Sequence, residues 1–174
     1  MRSLAVISLI ITMLLFSFCG NKPKKDLTIQ PEQFKNDLEK VNKTLVQKEN
    51  EDIEDYIARH EWKMKSTGTG LRYNIYYKGK GASPKSNNKV VIRFVVNLIN
   101  GIECYNSKTD GLKQIELGKA EVESGLEEGI MLMKVGDKAK LIIPSHLAFG
   151  LLGDENKIPK RATLIYDVEL IEIK

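Results

Sequence analysis

With 174 residues the chain has room for one domain and an extension, and its length supports one core of useful size rather than two. Hydrophobic residues at 42% and charged residues at 29% place it among ordinary soluble globular chains. A formal net charge of +4, with both signs interleaved through most of the chain, speaks against a nucleic-acid binder, which gathers its basic residues on one face.

Arg2 gives the N-terminus a positive start, and Leu4 to Phe18 carries no charge. As a helix this run reaches about 22 Å at ~1.5 Å per residue, short of a bilayer core of ~30 Å. It reads as the apolar region of a secretory signal. The segment Leu15-Phe16-Ser17-Phe18-Cys19-Gly20 then resembles a bacterial lipoprotein signal, in which the cysteine is lipidated and becomes the mature N-terminus. Ser17 fits that pattern; Phe16 stands where leucine is usual and Phe18 where a small residue is usual. The expected organisation is a signal peptide over 1–18, then a lipidated Cys19 and tether over 19–30. An uncleaved anchor or cleavage elsewhere is the alternative. Lys22, Lys24 and Lys25 are either a solvated linker or an attraction to anionic headgroups, worth ~1 kcal/mol per lysine near the surface. The expected location is the bacterial cell envelope, held to a membrane by lipid and facing the periplasm.

Pro31-Glu32-Gln33 looks like a helix start, with proline tolerated in the first turn and acids favoured there. Phe34, Leu38, Val41 and Leu45 follow as one apolar stripe, which Ile53, Tyr56 and Ile57 resume after a polar run. The spacing predicts one long helix to about His60, or one broken near Asn50, within a helical segment over 31–66. This helix is either a spacer on the domain's flank or a face for a dimer or partner.

From 67 the texture changes, and a second domain is expected over 67–174. Leu71 to Tyr77 reads as a strand. Val90, Ile92, Phe94, Val96 and Leu98 share one face of the next, while Val91, Val95 and Ile99 add apolar bulk to the other. Asn100-Gly101 is a tight-turn signal, after which Ile102 to Tyr105 returns as a strand and Gln114 to Leu117 adds a short one. Leu126, Ile130 and Met133 mark a short amphipathic helix beginning near Val122. Ala139, Leu141 and Ile143 alternate up to Pro144, and Ser145 to Arg161 forms a loop long enough to suggest function. Ala162, Leu164, Tyr166, Val168 and Leu170 form one face of the last strand. The pattern is an α+β fold, an antiparallel sheet against one short helix. Cys19 and Cys104 sit in unlike settings, so no disulfide is expected, and no Cys/His spacing suggests a metal site.

Four blocks occur in the order found in the FKBP family of peptidyl-prolyl isomerases. They are Val90 to Phe94 with Asn100-Gly101; Leu117-Gly118 through Gly125-Leu126-Glu127-Glu128-Gly129; Val135-Gly136-Asp137-Lys138-Ala139 through Ala148-Phe149-Gly150; and Ile158-Pro159 through Ala162 to Leu170. The resemblance covers Leu71 to Lys174 and implies a twisted antiparallel sheet wrapped around one short helix, with an N-terminal helix before it. With the lipid signal, the N-terminal helix and Pro144-Ser145-His146, the whole chain resembles the gliding-motility-associated isomerase lipoproteins.

An X–Pro bond turns over a barrier of roughly 18–20 kcal/mol. The twisted amide carries less charge separation than the planar one, so a dry apolar pocket favours it once donors orient it. Such chemistry needs no cofactor, and the implied partners are proline-containing polypeptides. Carried over from the family, the catalytic positions are Phe94, Val122, Glu123, Phe149 and Tyr166, and the substrate-binding positions are Cys104, Tyr105, Leu126 and Ile158. Several depart from the pattern. Phe94 and Phe149 stand where the family has tyrosine, Leu126 where it has tryptophan, Cys104 where it has phenylalanine, and Tyr105 where it has aspartate. Glu123 replaces an apolar residue whose backbone N–H binds substrate. Losing one oriented hydrogen bond costs ~1–3 kcal/mol, about five- to 150-fold in rate, where that bond strengthens in the transition state. The residues therefore predict slow or selective isomerisation, or a binding module that kept the fold. Phe94 and Tyr166 could also be plain core aromatics, Cys104 an inert buried thiol, His146 a loop hydrogen-bonder and Glu127-Glu128 an exposed helix face.

Overall fold

The computed structural model describes residues 31–174, so the signal peptide, Cys19 and the tether lie outside the described residues. The chain divides into two compact units, Met1–Lys40 and Val41–Lys174. In the first, the described residues are the opening turns of α1 (Pro31–Arg59). That helix continues into the second unit without a break at Asn50, and Glu32 in its first turn and Arg59 in its last suit the helix dipole. Among the described residues no helix is long and apolar enough to cross a membrane.

The second unit is built on an antiparallel sheet. Its strands are β1 (Lys65–Ser66), β2 (Arg72–Tyr77), β3 (Lys89–Leu98), β4 (Glu103–Asn106), β5 (Lys113–Glu116), β6 (Lys138–Ile143) and β7 (Leu164–Ile173). They lie in the order β1-β2-β6-β7-β3-β4, with β5 also paired to β3. Two short helices interrupt them, α2 (Ser107–Asp110) and α3 (Ser124–Met131). The sequence pattern misses β1 and α2, both too short to carry a period.

Strand alternation sends successive side chains to opposite faces, and β7 shows the result. Leu164, Tyr166, Val168 and Leu170 enter the main core with Ile92, Phe94, Leu126 and Ile130. Ile165 enters a second cluster with Ile142 and Ile53, against which Tyr56, Ile57 and Trp62 pack. The C-terminal half of α1 thus packs on the flank of the 67–174 region. The stripe's beginning behaves differently: Phe34, Leu38, Val41 and Leu45 are exposed.

Helix α3 closes the other face, and two glycines set its distance. A Cβ on Gly129 would meet Leu141 Cδ1 at 2.5 Å, and one on Gly125 would strike Ile143. A side chain at either position, four apart on one face, would force Leu141 or Ile143 to shift, so the two glycines let the helix seat this close to β6. Two carboxylates then fasten loops to the frame. Buried Asp137 accepts hydrogen bonds from the N–H groups of Gly79 at 2.6 Å and Lys134 at 2.8 Å. Glu49 of α1 accepts from the Ser145 N–H at 2.7 Å, the Ser145 hydroxyl at 2.9 Å and the Thr163 hydroxyl at 2.7 Å. Glu49 therefore ties both ends of the long segment between β6 and β7.

Candidate active site

That segment arches over the face of the sheet that carries Tyr166. Beneath it lies an open cavity of about 350 Å³, lined by Phe94 and Val96 of β3, Tyr105 of β4, Glu123 at the start of α3, Phe149, Asp154 and Asn156 of the long loop, and Tyr166 of β7. Asp110 and Lys113 complete the lining. Phe94 and Val96 share one face of β3, and Val96 pairs with Tyr166 on one side and Tyr105 on the other. The register of three strands thus places two tyrosines on either side of one valine.

Two tyrosine–carboxylate pairs stiffen this cavity. The Tyr166 hydroxyl donates to Glu123 Oε1 at 2.8 Å, and both residues are buried. Burial first, then the neighbouring carboxylate and its hydrogen bond, push the Tyr166 hydroxyl well above its ordinary range, so it stays a donor. The Tyr105 hydroxyl donates to Asp154, and this hydrogen bond, with burial, raises its pKa too. For Asp154, burial opposes ionisation, but the Tyr105 hydroxyl and the N–H groups of Ile158 at 2.7 Å and Asn156 at 2.9 Å outweigh it and hold the carboxyl below its ordinary value. Asp154 thereby folds the loop tip over the cavity as an Asx turn. The Leu151-Leu152 pair stays out of the cavity, exposed to solvent.

Of the nine expected site residues, Phe94, Tyr105, Glu123, Phe149 and Tyr166 line this cavity together. Leu126, Cys104 and Ile158 do not; they are buried in the core cluster. Val122 packs against that cluster while lining a separate shallow groove with Gly118 and Ser124. The Cys104 thiol lies 3.6 Å from the Lys157 carbonyl and its pKa is raised, chiefly by burial, as for an inert thiol. His146 Nε2 meets the Thr69 carbonyl at 3.1 Å, outside the cavity. Glu127 accepts from the Gly118 N–H at 2.6 Å, and Glu128 from the Thr69 hydroxyl at 2.7 Å, so this pair pins loops to α3.

Sequence reasoning missed Val96, Asp110, Lys113, Asp154 and Asn156. Asp154 left a signal, because an aspartate just after Gly153, with Asn156 two residues on, is the composition of an Asx turn. Among the described residues no cluster of His, Cys, Asp or Glu could hold a metal ion.

An antiparallel sheet wrapped on one short helix, with an aromatic-walled cavity beneath the loop before the last strand, defines a class of protein, and comparison names it. The family model for FKBP-type peptidyl-prolyl cis-trans isomerases matches residues 80–171. FkpA of Escherichia coli (strain K12), an FKBP-type peptidyl-prolyl cis-trans isomerase, is 40% identical over 111 residues, which is 64% of this chain and 40% of that protein. The crystal structure of FkpA from Escherichia coli superposes with a TM-score of 0.65 at 32% identity, covering 96% of this chain and 81% of that one. The crystal structure of AtFKBP13 gives 0.61 at 26% identity, covering 65% of this chain and all (100%) of that one. The chain belongs to the FKBP-type peptidyl-prolyl cis-trans isomerase family. It spans under half the length of the FkpA proteins it matches.

Proposed function

We propose that this protein is a slow or selective peptidyl-prolyl cis-trans isomerase that acts on exported polypeptides while held to a membrane by lipid on Cys19. The observation that carries the proposal is the open cavity of about 350 Å³ walled by Phe94, Val96, Tyr105, Phe149 and Tyr166, inside the matched region. Its volume admits a prolyl ring and the residue before it, and its aromatic walls exclude water from the amide. There the twisted amide, with its smaller charge separation, is disfavoured less than the planar form. The free backbone N–H at Glu123, which opens α3, is available to hold a substrate carbonyl; it meets no protein acceptor among the described residues. Phe149 supplies a ring but no hydroxyl to orient the substrate carbonyl, so catalysis is slow.

A second reading, an FKBP-fold binding lipoprotein, is favoured by one observation. Both cavity tyrosines spend their hydroxyls on internal carboxylates, leaving neither free to orient a substrate. The resemblance to gliding-motility-associated lipoproteins extends that reading to a motility or secretion apparatus. A proline isomerisation assay on the full chain in detergent separates the two. The enzyme reading expects acceleration above background that falls at least severalfold in a folded Phe149→Ala variant. No acceleration across several residues before proline, from folded protein, would leave the binding module. Fatty-acid labelling that disappears in Cys19→Ala checks the anchor, and exposed Phe34 and Leu38 offer a face for a partner or second copy.

A further inference from the structure

The side chain of Glu123 has no counterpart in the chemistry so far described. It is over nine-tenths buried, with a relative exposure of 8%, and it lines the cavity. One carboxylate oxygen accepts from the Tyr166 hydroxyl; the other, Oε2, is buried without any hydrogen-bond partner, the only such side-chain atom among the described residues. An orphaned buried carboxylate oxygen is costly, and the cost is recovered when a donor reaches it. The rest of the lining sets the sign of that donor. Asp110, Glu123 and Asp154 stand against Lys113 alone, so the cavity carries an excess of negative charge. Asp110 and Asp154 already accept hydrogen bonds from backbone N–H groups, which leaves Glu123 as the group in need.

We propose that Glu123 is a specificity residue: its carboxylate selects X–Pro segments in which X is lysine or arginine. This rests on the isomerase reading, because the bond turned lies between X and proline and brings X to the same cavity. A cationic N–H group satisfies Oε2 and offsets the charge excess. An apolar X strands the carboxylate beneath it, and a glutamate adds a like charge. Sites built to bond a polar group reject analogues that lack it more strongly than apolar pockets reject a hydroxyl.

The test uses the full chain in detergent and four peptides differing only at X: lysine, arginine, norleucine and glutamate. Norleucine keeps the length of lysine without its charge. The expected result is roughly tenfold or greater preference for Lys–Pro and Arg–Pro over norleucine–Pro, the scale of one charge-assisted hydrogen bond. That preference falls severalfold in Glu123→Gln, reverses in Glu123→Ile, and shrinks as salt is raised. Equal or better turnover of norleucine–Pro, or a lysine preference unchanged in Glu123→Gln, would overturn the proposal while leaving the isomerase intact. Should no peptide be isomerised, the isomerase reading fails by itself, and calorimetric binding of the same four peptides still decides: cationic peptides bind tightest, or the proposal falls with it.

Discussion

Glu49 and Glu123 are both glutamates inside the domain, and they lie toward opposite faces of one sheet. Glu49, on the side of α1, takes three donors from Ser145 and Thr163. Glu123, on the side of the cavity, takes one donor from Tyr166 and leaves an oxygen bare. Both oxygens of the first carboxylate have donors from the frame. The second is incomplete, and its missing partner points to a ligand. The same contrast runs through the apolar residues. Ile53, Ile142 and Ile165 form a closed cluster, whereas Phe94, Phe149 and Tyr166 leave an open volume.

If the helix side is structural, its variants should cost stability and leave substrate preference alone. Ile53→Ala removes a fully buried side chain and should destabilise by about 2–5 kcal/mol, measured by urea unfolding. Glu49→Ala strands three donors, all on the buried residues Ser145 and Thr163, and should cost about 1–3 kcal/mol. It should also loosen the long loop, so hydrogen exchange at 145–163 rises before that of β3. A wild-type exchange pattern there would remove Glu49 from its anchoring role. Glu123→Gln should behave in the opposite way, changing stability by less than about 1 kcal/mol, since a buried carboxylate with a bare oxygen contributes little net stability. A larger loss would mean that Glu123 is a structural anchor like Glu49.

The smallest effect concerns pH. Asp154 has its folded pKa depressed, so its contribution is present above the ordinary carboxylate value and is lost as pH falls through the lower folded value. Exchange at Asn156 and Ile158, whose N–H groups it holds, should therefore speed up in the acid range relative to the intrinsic rate. Asp154→Asn should remove that acid transition; its persistence would assign the transition to another group.

Much of this was legible in the sequence, for reasons visible in particular residues. Alternation along Val90 to Leu98 and Leu164 to Leu170 revealed strands whose burial now matches the pattern. Phe94, Glu123, Phe149 and Tyr166 of the four family-like blocks, and Tyr105 outside them, line one cavity. What escaped was set by contacts distant in sequence. Nothing local says that Glu49 meets residues 96 and 114 positions away. Position alone placed Leu126, Cys104 and Ile158 at the pocket, but all three lie in the core cluster, Leu126 and Cys104 as smaller side chains than the family's tryptophan and phenylalanine. The pairing of Tyr166 with Glu123 joins residues 43 positions apart, only one of which departs from the family pattern, and neither residue alone announces it.

The contrast between the two sides is tested most directly by titrating isotope-labelled protein with a Lys–Pro peptide and mapping the chemical shifts. The account predicts saturable changes at Phe94, Tyr105, Glu123, Phe149 and Tyr166, with Ile53, Ile142 and Ile165 unmoved. Changes centred instead on a second cavity, one of about 370 Å³ between Leu45, Glu49, Ile99 and the 159–163 segment, would contradict it.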